Sequence, residues 1–319
     1  MKVIAIEHPH QFNSDDFPEL VMALGFFDGI HKGHQIVIQT AKKKAKEMNL
    51  KSAVMTFDPH PSAVLGRKTE NIRYITPLED KVDIIESMEI DYLFIVHFSE
   101  EFASVLPERF VDEYIAGLNV RHVVAGFDYS YGRYGQGSME DLPVYAQGRF
   151  SQTVVAKQTL EDEKVSSTRI RETLGNGDFS DFHHLAGRRY LTKGHVIHGE
   201  KRGRKLGFPT ANIEVSNDYI FPAAGVYAVR IKISGKWYNG VCNVGYKPTF
   251  HEEKPKYPTV EVHVLEFSGD IYGNQVSVEW HIRLRSEQKF SGLEALVAQI
   301  EKDKQDTIEY FSKLEAKKG

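Results

Sequence analysis

The sequence predicts a two-domain protein of α/β plus β class, in which a doubly wound, Rossmann-like parallel sheet is followed by a small antiparallel β-barrel with a C-terminal helix. Three observations carry this. The first half alternates short apolar runs with helix-period segments. The second half consists of closely spaced alternating strands separated by turn residues, and a length of 319 residues favours two domains over one.

In the first half ELVMALG, SAVMTF, DYLFIVHF and RHVVAGF read as strands. Between the first two, Val37, Ala41 and Ala45 recur every fourth residue while Lys42, Lys43, Lys44 and Lys46 take other faces, which predicts an amphipathic helix. Alternation of this kind implies parallel pairing, and ligands of such sheets collect beyond the carboxyl ends of the strands. After about residue 186 the pattern changes. GVYAVRIKI sets Tyr227, Val229, Ile231 and Ile233 against Ala228, Arg230 and Lys232, and Ser234-Gly235-Lys236 turns the chain into WYNGVCNVG. TVEVHVLEF and NQVSVEWHIRLR add two strands. The last helix is expected to open on a capping box of Ser291 and Glu294 and to bury Leu293, Val297, Ile300, Ile308 and Phe311. Gly175-Asn176-Gly177 ends one helix and DFSDFHHLA forms the next, so the domains are expected to span residues 1–183 and 184–319.

Bulk composition narrows the function. With 41% apolar and 26% charged residues the chain is globular, and a formal net charge of -4 lacks the basic excess of a nucleic-acid binder. MKVIAIEHPH lacks the apolar core of a signal peptide, and no run approaches the roughly 20 apolar residues of a membrane helix. One cysteine, Cys242, excludes an intrachain disulfide and fits a reducing compartment, so a cytoplasmic protein is expected.

The most informative segment of the first half is GFFDGIHKGH, residues 25–34, between a strand and a helix. Gly25, Gly29 and Gly33 let the backbone approach a ligand, and His31 and His34 stand at a helix entry that favours anions. That suits the phosphates of a nucleotide. The same residues also read as a plain polar connection, or as a zinc site joined by His8 or His10. VSSTRIRE, residues 165–172, offers hydroxyls at a helix start followed by Arg169 and Arg171, groups that hold phosphate oxygens but also serve as ordinary caps and solvated charges. FDPHP, residues 57–61, and GFDYSYG, residues 126–132, follow strands and so sit where site loops gather.

In the second half GHVIHGEKRGRKLGFPTAN, residues 194–212, combines glycines at 199, 203 and 207 with Lys201, Arg202, Arg204 and Lys205, the makings of a phosphate-binding flap that is not a Walker A loop. Thr210 and Asn212 share one side of an extended strand and supply neutral oxygens suited to Mg²⁺ beside ATP phosphates. A basic hairpin leading into an edge strand is the bland alternative. Glu261 lies opposite Val260, Val262 and Val264, either as a general base on a barrel strand or as a solvated residue.

In order along the chain, GFFDGIHKGH, FDPHP, GFDYSYG and SSTRIR resemble the adenylyltransferase module of bacterial bifunctional riboflavin kinase/FAD synthetases, within a nucleotidyltransferase superfamily whose HxGH signature is met by His31, Gly33 and His34. The resemblance implies that FMN attacks the α-phosphorus of ATP to give FAD and pyrophosphate. It also implies an ATP site of Gly25, Phe26, Phe27, Asp28, Gly29, His31, Gly33, His34, Asp128, Ser167, Thr168 and Arg171. Within it His31, His34 and Arg171 would carry catalysis, and Asp58, His60 and Pro61 would meet the flavin. Asp128 stands where the family carries Asn or Asp.

GxxxGRxxGFPTAN, PAAGVY, NVGYKPTF, VEVHVLEF and RLRSEQKF resemble a complete riboflavin kinase module, a small β-barrel with a glycine-rich ATP flap. That resemblance implies ATP contacts from Gly199, Lys201, Gly203, Arg204, Gly207, Phe208, Pro209, Thr210 and Asn212. Mg²⁺ would be held by Thr210 and Asn212, Glu261 would be the general base, and Tyr227, Asn243, Glu261 and Arg285 would lie on the flavin side. The expected partners are riboflavin, FMN and ATP, with no nucleic acid and no membrane, and self-association stays open. Two other readings are a single-activity enzyme that keeps its second domain for flavin binding, and a flavin-responsive regulatory protein. Intact HKGH, SSTRIR, PTAN and Glu261 argue against the loss of either chemistry.

Overall fold

The computed structural model describes residues 1–66, 72–157, 159–160, 163–199, 203, 206–246 and 258–317. The chain divides into two compact units, Met1–Ser167 and Thr168–Gly319.

The first unit carries a six-stranded parallel sheet. Its strands are β1 (Lys2–Ile6), β2 (Leu20–Leu24), β3 (Lys51–Asp58), β4 (Tyr92–His97), β5 (Val120–Gly126) and β6 (Ser151–Val155), in the order β1-β4-β3-β2-β5-β6. The expected strands are the four central ones. β1 and β6 escape sequence reading because they form the two edges, where each fully buries a single residue, Ile6 or Val155. Central strands bury both faces. Leu20, Met22 and Leu24 of β2 pack with Phe94, Phe110 and Tyr114, whereas Val21 and Ala23 pack with Val37, Ile38 and Ala41 of α1 (Lys32–Met48). A second helix, α2 (Leu78–Ser87), adds Ile85 to that second layer. Strand order reverses at β2, between β3 and β5, so the loops that follow β2 and β5 open the crevice where doubly wound sheets bind ligands.

In the second unit α3 (Ser167–Asn176) and α4 (Phe179–Ala186) precede a closed antiparallel barrel. Its strands are β7 (Tyr190–Ile197), β8 (Ala211–Val215), β9 (Gly225–Ile233), β10 (Lys236–Gly245), β11 (Thr259–Val264) and β12 (Gln275–Ser286), in the order β7-β8-β11-β10-β9-β12. Tyr227, Val229 and Ile231 are fully buried in the interior, as the alternation predicts. The β9–β10 hairpin closes through Ser234 and Gly235 at φ 48° and 84°, the left-handed pair that a two-residue turn requires. Phe179 of α4 packs on Tyr190, Tyr227 and Trp280, and Phe182 packs on Tyr190, so both rings ahead of residue 184 belong to the barrel's packing.

The final helix, α5 (Leu293–Ala316), differs from expectation at its start. Gly292 occupies the N-cap with no side-chain cap, so the Ser291/Glu294 capping box is absent. Leu293 and Ile308 are 62% and 39% exposed. The face turned inward runs through Leu296, Ile300, Asp303, Thr307 and Phe311; Ile308 lies off this stripe and Val297 is half-buried, whereas Leu293 shares the face but is exposed as the first residue of the helix.

Candidate active sites

A cavity of about 460 Å³ opens at the ends of β2, β3 and β5. Gly25, Phe26, Phe27, His34, Pro61 and Asp128 line it, beside an aromatic wall that includes Phe102, Phe110 and Tyr131. The loop after β2 is tight. Phe27, Gly29 and Ile30 take φ of 55°, 87° and 36°, and a Cβ at Gly25 would lie 2.7 Å from the Phe27 ring. The loop delivers His31 as the N-cap of α1, where its Nδ1 accepts the His34 N–H at 3.2 Å. In the neutral ring the His31 proton therefore sits on Nε2. The two imidazoles stack with centroids 3.6 Å apart, and Phe27 meets His34 edge-on at 5.4 Å. Burial, reinforced by the charges of His31 and Lys81, holds His34 well below the usual imidazole range, so it is neutral at physiological pH. Its Nδ1 is buried with no hydrogen-bond partner among the described residues.

The other predicted residues of this set do not line the cavity. Asp28 is 3% exposed; its Oδ1 accepts the Thr76 N–H at 3.0 Å and its carbonyl accepts the Ser167 hydroxyl at 3.1 Å. His60 accepts the Ser62 N–H at 3.0 Å and packs at a steep angle on Phe26 with ring centroids 4.4 Å apart, while Asp58 ends β3 half-buried. Gly33 lies in the first turn of α1. Thr168, exposed, and Arg171, half-buried, lie near the start of α3 in the second unit.

The zinc reading gains no support from the described residues. His8 Nδ1 lies 2.8 Å from the Tyr114 hydroxyl and His10 packs its ring on Tyr114. Among the described residues no group of three His, Cys, Asp or Glu side chains is placed to hold a metal ion.

Lys81 was not legible in the sequence. Its ammonium, on α2, donates to the Phe26 carbonyl at 2.9 Å and to Thr56 Oγ1 at 3.1 Å, and burial pulls its pKa down to about 8 against the opposing charges of Asp28 and Asp58. A lone lysine within LEDKVDIIES carries no signal distinct from a solvated helix face.

The second cavity, of about 620 Å³, lies on the outside of the barrel beneath α5. Register assembles it. Asn212 pairs with Glu261, Glu261 with Asn243, Asn243 with Val226 and Val226 with Arg285, one row across strands β8, β11, β10, β9 and β12. Directly paired residues share a face, so the polar row points outward. The next row, Ala211, Val262, Cys242 and Tyr227, points inward. Thr210, Asn243, Glu261 and Arg285 all line the cavity, with Gly203 and Phe208 at its flap side.

Gly203 anchors the flap by accepting the Leu206 and Phe208 N–H groups at 3.0 and 2.9 Å, and a Cβ there would fall 2.3 Å from the Phe208 carbonyl. Gly207 has φ 87°. His263 donates from Nδ1 to the Pro209 carbonyl at 2.8 Å. The Asn212 amide fills the space a Cβ at Gly199 would take, 2.1 Å away. Lys201 and Arg204 lie outside the described residues.

Arg285 is clamped by Asp303 of α5, with Nε to Oδ1 at 2.9 Å and Nη2 to Oδ2 at 2.8 Å, and Gln299 donates to the same carboxylate at 2.8 Å. Asp303, 3% exposed, is the second residue that sequence reasoning missed, hidden in the charged run EKDKQD. Tyr227 is not at the cavity. It is a core residue whose hydroxyl donates to the Ala223 carbonyl at 2.5 Å, and burial pushes its pKa up to about 12. Behind Glu261, burial and that carboxylate's charge push the Cys242 thiol well above its usual range, so it is inert.

Comparison with known proteins follows the same division. A family model described as FAD synthetase matches residues 13–169, and one described as riboflavin kinase matches residues 186–311. A bifunctional riboflavin kinase/FMN adenylyltransferase from Bacillus subtilis is 52% identical over 98% of this chain and 99% of its own length. The protein of that name from Listeria monocytogenes is 47% identical over 99% and 100%. A crystal structure from Streptococcus pneumoniae, described as a macrolide-efflux protein, superposes with a TM-score of 0.86 at 33% identity, covering 95% of this chain and 98% of that one. Among the described residues of this chain no helix is long and apolar enough to cross a membrane. Matches at this identity over nearly the full length, with both family models in sequence order, place it: the chain belongs to the family of bifunctional riboflavin kinase/FMN adenylyltransferases.

Proposed function

We propose that the chain makes both flavin cofactors, phosphorylating riboflavin to FMN in the barrel cavity and adenylylating FMN to FAD in the parallel-sheet cavity. The observation that carries this is that residues of the first motif set line one cavity and residues of the second set line the other, with no mixing between them.

In the first unit the FMN phosphate is already anionic, so it attacks the α-phosphorus of ATP without a general base. A P–O bond forms as the bond to the leaving pyrophosphate breaks. The protein's task is positioning and charge stabilisation. His31 presents Nε2–H, and neutral His34 donates one N–H, toward phosphate oxygens at the N-terminus of α1. The aromatic wall suits the flavin ring.

In the barrel Glu261 takes the proton of the ribityl hydroxyl as that oxygen attacks the γ-phosphorus of ATP and ADP departs. Thr210 and Asn212 offer hydroxyl and amide oxygens, with the Glu261 carboxylate paired beside Asn212, a hard-oxygen donor set that fits Mg²⁺. When bound, Mg²⁺ would neutralise phosphate charge there. The buried lone cysteine suits a reducing cytoplasm.

The test is incubation of the purified chain with riboflavin, ATP and Mg²⁺, followed by chromatographic separation of the flavins. Sequential appearance of FMN and FAD is expected. FMN without FAD would leave a single-activity kinase, and no product at all would favour the regulatory reading.

A further inference from the structure

Lysine is seldom fully buried, yet Lys81 is 2% exposed behind Phe26, a residue that lines the first cavity. Its surroundings do not require a charge for hydrogen bonding. The Phe26 carbonyl already accepts the Thr56 hydroxyl at 2.8 Å, so an apolar residue at 81 would leave that carbonyl satisfied and would avoid desolvating an ammonium. The ammonium nevertheless joins three elements: α2, the Phe26 carbonyl in the loop after β2, and Thr56 near the end of β3. It also lies 4.3 Å from the centroid of the Phe26 ring, whose residue lines the cavity beside His34.

We propose, on the reading that this cavity performs adenylyl transfer, that Lys81 is a positioning residue for that step. Its ammonium locks the loop carrying Phe26 and Phe27 to the end of β3, and it places a fixed positive charge under the side of the cavity where His34 stands. The charge does two things there. It disfavours a proton on His34, which preserves that ring's neutral form and its stack on His31, and it adds positive potential where the phosphates of ATP and FMN converge.

Among the described residues the titratable groups that face this arrangement are Asp28 from the loop, Asp58 from β3, His34 from α1 with His31 at its N-cap, and His60 and Tyr74, whose rings pack on Phe26. The two carboxylates favour the ammonium, and burial opposes it more strongly, so the Lys81 charge is lost as pH rises through about 8. Adenylyl transfer therefore weakens above that pH, whereas riboflavin phosphorylation, carried by the barrel, does not share the decline.

The experiment measures kcat and KM for FAD formation from supplied FMN between about pH 6 and about pH 10, around the ordinary range of imidazole and amine titration. The full chain, Lys81→Met and Lys81→Arg are compared, with riboflavin phosphorylation on the same preparations as the folding control. Lys81→Met is expected to lower kcat about tenfold or more while KM for FMN moves only a few-fold, and to abolish the alkaline decline. Lys81→Arg is expected to keep most of the activity and to carry the decline to higher pH, because a guanidinium stays charged. Kinetics and pH profile of Lys81→Met that match the unmodified chain would overturn the role. So would a flat profile above pH 8 in the unmodified chain, a reading that holds even where Lys81→Met does not fold. Failure of the unmodified chain to form any FAD from FMN would instead remove the adenylyltransferase reading itself, and this inference with it.

Discussion

On the proposed reading the two cavities hold ATP and a flavin with different architecture. In the first unit the chemistry sits on loops past the carboxyl ends of parallel strands, so one contiguous segment, residues 25–34, supplies Phe26, Phe27, His31 and His34. In the barrel the chemistry sits on the strands. Asn212, Glu261, Asn243 and Arg285 come from four separate strands and meet only because register puts them in one outward row. A loop site is set by backbone conformation, and a strand site by pairing. The first should break when a left-handed turn or a buried anchor is altered, and the second when a register neighbour or a clamp from α5 is altered.

The largest expected effect is at Glu261. Glu261→Gln keeps size and hydrogen bonding but removes the base, so kinase turnover should fall by roughly two to four orders of magnitude with little change in riboflavin binding. Turnover within a few-fold of the unmodified chain would make Glu261 a solvated strand residue and force the base to be sought elsewhere.

Next comes His34→Ala, which removes a neutral donor and the partner of the His31 stack. FAD formation from FMN should drop by about a hundred- to a thousand-fold, the usual effect of losing one preorganised donor. Riboflavin phosphorylation by the same preparation should be unchanged, and a parallel loss of both activities would contradict the separation of the sites.

Smaller effects separate clamp from core. Asp303→Asn leaves Arg285 without its bidentate partner, so KM for riboflavin should rise about tenfold with a smaller change in kcat, in line with the loss of a charge-assisted hydrogen bond. Tyr227→Phe should do less still. It removes the bond to Ala223 and costs about 1 kcal/mol in denaturant unfolding, with kinase KM unchanged. A raised KM for riboflavin in Tyr227→Phe would return this residue to the flavin side.

The same contrast explains what could be read in advance. Tyr227, Val229 and Ile231 alternate cleanly, so the barrel and its interior were legible, and the turn at Ser234-Gly235 announced its hairpin. The placement of HKGH at a helix entry was legible because its residues fall within one turn at the start of α1. Tyr227 was assigned to the flavin side because PAAGVY looks like a site motif, although its alternation with Val229 and Ile231 already put it on the apolar face, and its pairing with Cys242 shows that this face is turned inward. Lys81 and Asp303 were invisible for a common reason: each is a charged residue on a helix rich in charges, and what distinguishes it is near-complete burial against an element distant in sequence. The absent cap at Ser291 is a smaller failure of the same kind. A local signal for a helix start exists there, but the chain enters α5 through an extended Gly292 at φ 178°.

The most direct test of two independent sites on one chain is complementation. Glu261→Gln supplied with riboflavin, ATP and Mg²⁺ should yield almost no product, and His34→Ala should accumulate FMN without FAD. Mixed in equal amounts, the two variants should restore FAD, because FMN released by the His34→Ala barrel can be adenylylated by the intact first unit of Glu261→Gln. FMN that accumulates in the mixture without FAD, together with failure of folded Glu261→Gln to adenylylate supplied FMN, would show that the first site depends on an intact barrel site and would contradict their independence.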